Sequence, residues 1–334
     1  MMVDSLASNW DIAANSCPMM KARKVAPKRM YEKEIKAMDV DFIRGVVTPL
    51  ITPVDEEERV FETGLRDQIE HVLRGGVHGV FVLGSTGEFY GFDFDEKKRA
   101  TQITVAQVRG RVPVYVGASA ITTRACVRLS EMAEAEGAQA VTILTPMFIN
   151  PSEEELYRHF RAIAESTTLP VLVYNNPDRT GINISAGLIA RLAAVPNIVG
   201  AKDSSGDLTL TSEYIRRTRD QGFRIMAGRD TRILATLVYG GFGSVAATSN
   251  VAPSLVVEIY NKFMAGDIQG SLAAQYKLAP LRIAFGLESF PVVMKDALNL
   301  MGIRVGDPIK PIEHCTEPNL ARLKQILSGM GLIP

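Results

Sequence analysis

Lys202 is the residue of this chain best suited to covalent chemistry, because it directly follows a short apolar run at 198–201. Burial at the end of such a run disfavours the protonated form of an amine and leaves the amine free to act as a nucleophile. An amine nucleophile implies a Schiff base (imine) with a carbonyl substrate. The alternative is a lysine that pairs with Asp203 or extends its charged end into solvent.

Two other segments place polar groups after apolar runs. Tyr174 ends the run at 171–174, and its hydroxyl could shuttle the protons that imine formation and carbon–carbon cleavage require. The alternative is a buried aromatic residue whose hydroxyl is satisfied locally. Ser85 and Thr86 are flanked by glycines after the run at 79–83, and such a turn can present N–H groups to a carboxylate. A tight turn between a strand and a helix would have the same composition.

The elements that must position these residues form a regular alternation from residue 42 onwards. Apolar runs rich in Val and Ile alternate with segments of helical periodicity, which is typical of parallel βα units. We predict strands at 45–51, 79–83, 112–116, 140–144, 171–174, 198–201, 223–226 and 243–247. Eight such units favour an α/β fold of the closed (β/α)8 TIM barrel type, whose catalytic side chains lie at the carboxyl ends of the strands. An open doubly wound sheet usually carries a GxGxxG loop, which is absent here.

The chain divides into three predicted regions. Residues 1–41 form an N-terminal extension without sustained periodicity. The extension is either flexible or packed on a neighbour. Alternatively, translation starts later, at Met30 or Met38. Residues 42–250 form the barrel catalytic domain, and residues 251–334 form a C-terminal helical region. In that region we predict helices at 252–264, 268–285, 292–301 and 319–327.

Composition excludes several classes of function. The 37 Lys and Arg residues balance the 37 Asp and Glu residues, which argues against a nucleic-acid partner. No apolar run approaches the roughly 20 residues that span a membrane. The 3 cysteines are scattered and the 4 histidines lack metal-ligand spacing, so we expect no metal site and a reducing, cytoplasmic location.

Three motifs occur in order after predicted strands 2, 5 and 6: GSTGE at 84–88, YNNPDRTG at 174–181 and GAKDSSGD at 200–207. Together they closely resemble the dihydrodipicolinate synthase / N-acetylneuraminate lyase family, over about residues 42–330. The resemblance implies a TIM barrel with a helical C-terminal domain, assembled as a homotetramer or homodimer. It also implies class I aldolase or lyase chemistry on pyruvate or a 2-keto acid, with a covalent lysine imine and no cofactor.

The resemblance assigns catalytic roles to three residues. Lys202 matches the lysine that forms the imine, and Tyr174 matches the residue that transfers protons. Ser85 matches the hydroxyl of the family's proton relay. Ser85 and Thr86 together match the residues that bind the pyruvate carboxylate.

Three further residues match substrate-binding positions. Arg179 corresponds to the arginine that binds the carboxylate of the second substrate, for which a guanidinium is well suited. Val245 corresponds to an aliphatic residue whose backbone faces the bound keto acid. Asp230 corresponds to an acidic residue of the sialate-lyase polyol site, but Thr231 and Ala247 replace a Glu and a Ser there. Sialic acid is therefore not the predicted substrate.

Position 148 departs from the dihydrodipicolinate synthase pattern. Those enzymes typically carry Thr-Pro-Tyr-Tyr after strand 4, and their second tyrosine completes the relay across a subunit contact. This chain has Met147 and Phe148 there, and Phe148 has no hydroxyl. Either water or another group passes the proton, or the chain is a paralogue that does not need this relay. Arg229 beside Asp230 suggests a small acidic aldehyde as the second substrate, with a surface ion pair of little energetic worth as the alternative.

We therefore predict a Schiff-base lyase most like the dihydrodipicolinate synthases, which condense pyruvate with aspartate semialdehyde. The first alternative is a 2-keto-3-deoxy sugar acid aldolase or dehydratase of the same family, and the second is a catalytically silent barrel that serves as a binding or regulatory module. Three other residues receive non-catalytic interpretations. We predict Cys126 in the core, His159 in a surface pair with Glu155, and Lys295 in the helical region away from the barrel mouth.

Overall fold

Eight parallel strands close into a barrel in sequence order, β1 to β8, in a computed structural model that describes residues 39–334. The predicted extension lies outside the described residues except for its last three positions. The strands are β1 (Gly45–Pro49), β2 (Gly79–Val82), β3 (Val114–Gly117), β4 (Ala140–Leu144), β5 (Val171–Asn175), β6 (Ile198–Asp203), β7 (Arg224–Ala227) and β8 (Gly243–Val245). The predicted TIM barrel is confirmed.

Helices surround the barrel and form the C-terminal region. Those between the strands are α1 (Glu62–Arg74), α2 (Phe94–Val108), α3 (Thr123–Ala135), α4 (Glu153–Ala164), α5 (Pro177–Thr180), α6 (Ala186–Leu192), α7 (Leu208–Thr218) and α8 (Ile233–Val238). After β8 come α9 (Pro253–Met264), α10 (Ile268–Ala284), α11 (Val292–Leu300) and α12 (Glu317–Gly329). The described part of the chain contains no helix with the length and apolar character needed to traverse a bilayer.

The start of α4 illustrates how local sequence fixes these helices. Ser152 Oγ accepts a hydrogen bond from the N–H of Glu155, and the Glu155 carboxylate accepts one from the N–H of Ser152. This is the capping box that the spacing predicts, and it satisfies two N–H groups that have no partner within the helix. Leu156, Phe160 and Ile163 on the inner face are buried, which attaches α4 to the barrel.

The barrel interior is filled by side chains that point inward from alternate strand positions. They form a compact apolar cluster of Ile43, Val47, Phe81, Tyr115, Ala140, Leu172, Met226 and Val245. Leu172 lies two positions before Tyr174 on β5, and Met226 on β7 pairs with Lys202 on β6. The same alternation therefore turns Tyr174 and Lys202 toward the interior.

Asn250 fastens the chain after β8 to the chain after β1. Its side chain accepts hydrogen bonds from the N–H of Ile51 at 3.0 Å and from Gln68 Nε2 at 2.9 Å. It also donates to the carbonyls of Pro49 at 2.7 Å and Ala247 at 3.0 Å. Ile51 lies past the end of β1 and Ala247 past the end of β8, so one amide side chain satisfies buried polar groups at both strand ends.

We expect Asn250→Ala to lower the free energy of unfolding by roughly 2–4 kcal/mol, because buried backbone groups lose their partners. Urea unfolding measures this loss. Asn261→Ala, at an exposed position on α9, is the matched control and should change stability by less than about 0.5 kcal/mol. Equal effects of the two substitutions would contradict the role given to Asn250.

His159 is buried rather than paired at the surface, so the predicted pair with Glu155 is wrong. It lies on the inner face of α4, and its Nδ1 is 2.9 Å from Thr123 Oγ1. Burial lowers its pKa to about 4. Cys126, by contrast, lies fully in the core as predicted.

The low pKa of His159 makes stability depend on pH. The unfolded chain binds this proton near pH 6.5 and the folded protein only near pH 4, so stability falls as pH decreases between these values. We expect wild type to lose about 3 kcal/mol more than His159→Gln between pH 7 and pH 4, measured by urea unfolding.

His314→Gln is a control because His314 should affect the pH dependence of stability in the opposite direction to His159. Partial burial alone would lower the pKa of His314, but hydrogen bonds to Asp296 and Asp307 raise it above its ordinary value. Its contribution is present at low pH and disappears as pH rises through the folded pKa. Parallel pH profiles for wild type and His159→Gln would refute the prediction.

Candidate active site

Lys202 and Tyr174 occupy directly paired positions on neighbouring strands β6 and β5. Each side chain is only 4% exposed. Lys202 Nζ lies 4.0 Å from the centre of the Tyr174 ring and 5.4 Å from that of Phe81. Within residues 39–334, no carboxylate lies within 4.0 Å of this ammonium. A buried amine without a carboxylate partner is well placed to react with a carbonyl carbon.

Asp203 does not pair with Lys202, because consecutive strand residues point to opposite sides of the sheet. Its carboxylate faces outward and accepts hydrogen bonds from Asn175 Nδ2 at 3.0 Å, Ser205 Oγ at 3.0 Å and Thr211 Oγ1 at 2.5 Å. The alternative pairing considered for Lys202 is therefore wrong. Since Lys202 is buried, the alternative in which it extends into solvent is wrong as well.

The Tyr174 hydroxyl lies among polar groups that favour its ionised form. Burial alone would raise the pKa of the phenol, but the charge of Lys202 and interactions with Lys202, Ser204 and Ser85 outweigh burial, so the pKa is lowered. Asn176 Nδ2 also donates a hydrogen bond to the hydroxyl at 2.9 Å. A phenol with a lowered pKa gives up its proton more readily, as proton transfer requires.

The turn after β2 brings Ser85 and Thr86 into the same mouth. Residues Ser85–Gly87 form one 3₁₀ turn, and Glu88 follows in a left-handed conformation with φ 51°. The Oγ atom of Ser85 is buried and has no hydrogen-bond partner in the described residues. A buried hydroxyl without a partner costs free energy unless a ligand satisfies it. The Ser85 hydroxyl lines the same cavity as Lys202 and is available to hydrogen-bond a bound ligand.

Arg179 lies on the short helix α5, directly after β5. Its guanidinium carbon is 5.0 Å from the centre of the Phe290 ring, which comes from the C-terminal region. Among the ion pairs of residues 39–334, none involves Arg179. A stacked guanidinium without a carboxylate partner can bind an incoming carboxylate in bidentate fashion.

Asp230 and Val245 also line the mouth, but Asp230 is already occupied. Its Oδ1 accepts hydrogen bonds from the N–H and Oγ1 of Thr248 at 2.7 and 2.6 Å, and its Oδ2 is 3.3 Å from Arg282 Nε. Arg229 instead forms an ion pair with Asp178. The surface ion pair between Arg229 and Asp230, weighed from their adjacency, is therefore wrong.

All seven predicted site residues line one cavity of about 90 Å³ at the carboxyl ends of the strands. A second cavity of about 370 Å³ adjoins it, shares Ser85, Arg179 and Phe290 with it, and has mainly apolar walls. A larger cavity, about 960 Å³, lies near the end of α1 and the start of α9 and contains none of the predicted site residues. The convergent polar side chains of the small cavity and the lowered pKa of Tyr174 make it the candidate site, despite its size.

Sequence reasoning missed the contribution of the C-terminal region. Arg282, Phe285 and Phe290 line the small cavity, and Lys295 reaches the turn after β2 through an ion pair with Glu88. As predicted, Lys295 lies in the helical region and does not line the cavity, but the prediction did not include its contact with Glu88. No local pattern signals these contacts, because they join residues far apart in the chain.

Phe148 points away from this cavity. It follows β4, is 93% exposed and has a positive φ of 72°. Neighbouring Met147 lines the second cavity. Within residues 39–334, no group of three or more His, Cys, Asp or Glu side chains is arranged to hold a metal ion.

Comparison with known proteins gives the family. The profile of the Dihydrodipicolinate synthetase family matches residues 42–330. The 4-hydroxy-tetrahydrodipicolinate synthase of Methanopyrus kandleri is 37% identical over 294 residues, which cover 87% of this chain and 98% of that protein.

Two solved structures show the same similarity. The dihydrodipicolinate synthase of Thermotoga maritima superposes with a TM-score of 0.85 at 33% identity, covering 87% of this chain and 99% of that one. A prophage protein of the dihydrodipicolinic acid synthase family from E. coli K12, solved in complex with pyruvate, has a TM-score of 0.84 at 30% identity and covers 86% and 99%. As the three motifs predict, this chain belongs to the dihydrodipicolinate synthetase family.

Proposed function

We propose that the protein condenses pyruvate with aspartate semialdehyde through an imine on Lys202, as a 4-hydroxy-tetrahydrodipicolinate synthase. The observation that carries the proposal is the buried Lys202, without a carboxylate partner, beside Tyr174 and the orphaned hydroxyl of Ser85. The name of the relatives and the pyruvate complex of a related structure support the same substrates.

In the first half of the reaction, Lys202 gives up its proton and attacks the keto carbon of pyruvate. The keto oxygen takes up a proton to give a carbinolamine, and a second proton lets it leave as water, which produces the imine. Tyr174 relays these protons, for which its lowered pKa is suited. Ser85 and Thr86 hold the pyruvate carboxylate, and the Val245 backbone faces the bound keto acid.

In the second half, the protonated imine acts as an electron sink. Loss of a proton from the methyl carbon gives an enamine, which attacks the aldehyde carbon and forms the new carbon–carbon bond. The amine of the condensed product then attacks the imine carbon, closes the ring and displaces Lys202. The balance is one keto acid plus one amino aldehyde to one cyclic product plus one water, so no cofactor is required.

Arg179 binds the carboxylate of the second substrate in this proposal. Arg179 lies on the wall shared by the small cavity and the larger apolar cavity. An aldehyde bound by Arg179 would therefore approach pyruvate from the side of the apolar cavity. Because Asp230 is engaged by Thr248 and Arg282, it acts by holding the wall of the cavity rather than by binding a polyol.

The second candidate function is a 2-keto-3-deoxy sugar acid aldolase or dehydratase. The observation that favours it is Phe148, which supplies no hydroxyl where the synthases typically have a relay tyrosine. The same imine intermediates support cleavage, and loss of water supports dehydration. Arg179 favours the synthase over enzymes of aldonic-type sugar acids, because such an acid has no second carboxylate for Arg179 to bind.

The proposal includes a cytoplasmic location and a homotetramer or homodimer. The free, buried cysteines Cys126 and Cys315 are compatible with a reducing compartment. Phe148 and Tyr90 present large exposed apolar surfaces close to the mouth, and exposed apolar patches often mark contacts between subunits. The partners are small molecules, without nucleic acid or membrane.

Incubation with pyruvate and borohydride should attach a reduced pyruvate adduct to Lys202, because borohydride converts the imine to a stable amine. Peptide mass spectrometry locates the adduct. Lys202→Ala should give no adduct, whereas Lys277→Ala, at an exposed lysine on α10, should react like wild type. Absence of an adduct in wild type would refute the imine and favour a catalytically silent barrel.

Arg179→Ala should reduce kcat/KM for aspartate semialdehyde by roughly tenfold to a hundredfold, the value of a charged hydrogen-bonded contact. Pyruvate trapping on Lys202 should be unchanged. Arg179→Lys keeps the charge without the bidentate geometry and should lose less.

A panel of 2-keto-3-deoxy acids, assayed beside aspartate semialdehyde, separates the two candidate reactions. The proposal expects turnover with the semialdehyde and a loss of that turnover in Arg179→Ala. Faster cleavage or dehydration of a sugar acid, with no effect of Arg179→Ala, would replace the synthase by the second candidate.

A further inference from the structure

Lys295 and Glu88 form a fully buried ion pair between the C-terminal region and the barrel mouth. Both side chains have 0% exposure, and Lys295 Nζ is 2.5 Å from Glu88 Oε2. Lys295 lies on α11, whereas Glu88 directly follows the Ser85–Gly87 turn. Burial lowers the pKa of Lys295, and the Glu88 carboxylate opposes that shift. Removing two charges from water is unfavourable unless their partners compensate, so this pair needs further contacts.

Those further contacts tie Glu88 to one segment of the C-terminal region. Glu88 Oε1 accepts a hydrogen bond from the N–H of Ile309 at 2.9 Å, and Lys295 Nζ donates one to the carbonyl of Asp307 at 2.6 Å. Both carboxylate oxygens of Glu88 are therefore engaged by C-terminal groups. The arrangement fixes the Glu88 side chain in one position.

The Glu88 backbone transmits this position to the turn. Its N–H donates to the carbonyl of Ser85 at 3.3 Å, and its φ of 51° is the left-handed conformation that ends the turn. On the other side, a Cβ added to Gly87 would lie 2.7 Å from Thr52 Oγ1 and 2.8 Å from the carbonyl oxygen of Leu50. The turn therefore lies between the chain after β1 and the C-terminal region, with little room to shift.

We propose that the Lys295–Glu88 pair positions the Ser85–Thr86 turn for binding of the keto acid carboxylate, which makes Lys295 and Glu88 positioning residues for the reaction at Lys202. The inference rests on the proposed function for the identity of that ligand. A positioning role differs from a purely structural one in its consequence. Loss of the ion pair should weaken keto acid binding more than a substitution elsewhere that destabilises the protein equally.

The first test measures how trapping on Lys202 depends on pyruvate concentration. Lys295→Met leaves Glu88 buried without its cation, and the half-saturating pyruvate concentration should rise by about tenfold to about a hundredfold, the effect expected from a small displacement of binding groups. Trapping at saturating pyruvate should be retained, since Lys202 itself is untouched. A wild-type half-saturating concentration would overturn the proposal.

Leu323→Ala is the control for loss of stability. Leu323 is fully buried on α12 and is not among the residues that line the mouth, so its truncation destabilises the C-terminal region while both residues of the ion pair remain present. The half-saturating pyruvate concentration of Leu323→Ala should stay within about twofold of wild type. This change is smaller than the rise expected when a binding group is displaced. A rise equal to that of Lys295→Met would show a general effect of destabilisation and overturn the proposal.

The double variant Lys295→Met/Glu88→Gln tests the pair without a lone buried charge. It should fold more stably than Lys295→Met, because neutral replacement removes the unpaired carboxylate. It should nevertheless keep a raised half-saturating pyruvate concentration, because the charged contact that fixes position 88 is gone. Restoration of the wild-type value would overturn the positioning role, even if the single variant does not fold.

Hydrogen exchange provides a test that does not depend on the proposed function. In the absence of substrate, the amides of Gly87 and Glu88, which donate to Gly84 and Ser85, should exchange faster in the double variant than in Leu323→Ala. Unchanged exchange would overturn the coupling. If wild type formed no adduct at Lys202, the proposed function would fail, while the exchange result would still decide whether the pair holds the turn.

Discussion

The pairing of β5 with β6 places Tyr174 directly opposite Lys202, and the chemistry of the mouth depends on this register. Strand alternation turns both side chains inward and sends their neighbours Asn175 and Asp203 outward, where they hydrogen-bond to each other at 3.0 Å. The outward pair thus reinforces the register of the inward pair. A shift of one residue would exchange the two faces and bring a carboxylate into the mouth beside the phenol, without the amine.

The barrel alone does not complete the site. Arg282 from α10 and Phe285 and Phe290 from the following segment close one side of the small cavity, and Phe290 stacks against Arg179. Excluding water from one side strengthens the electrostatic interactions of Lys202 and its surroundings. In the proposed reaction, the region after β8 therefore contributes to the shape and dielectric environment of the cavity.

Sequence analysis identified the residues that follow buried strands, because that signal is local and fold-specific. The predicted strand at 198–201 is two residues shorter than β6, so it does not include the alternation that turns Lys202 inward and Asp203 outward. The ion pair of Lys295 with Glu88 was not predictable in this way, because its partners lie far apart in the chain and neither lies in a pattern that requires the other. The sequence pattern does not predict the burial of His159. Glu155 is a charged residue close to it in the chain, whereas its hydrogen-bond partner Thr123 lies on another helix, α3.

In the proposed mechanism, the exposed Phe148 takes no part in proton transfer, which falls to groups inside the mouth. Asn176 Nδ2 donates to the Tyr174 hydroxyl, which uses an acceptor position of the phenol oxygen and leaves its O–H free to point toward another acceptor. Ser85 and Ser204 lie close enough to lower the pKa of that phenol, and the Ser85 hydroxyl has no partner of its own in the described residues. A hydroxyl that both donates and accepts can pass a proton between Tyr174 and a bound carboxylate. The relay can then run within one chain, and a side chain without a hydroxyl at position 148 does not exclude proton transfer at Lys202.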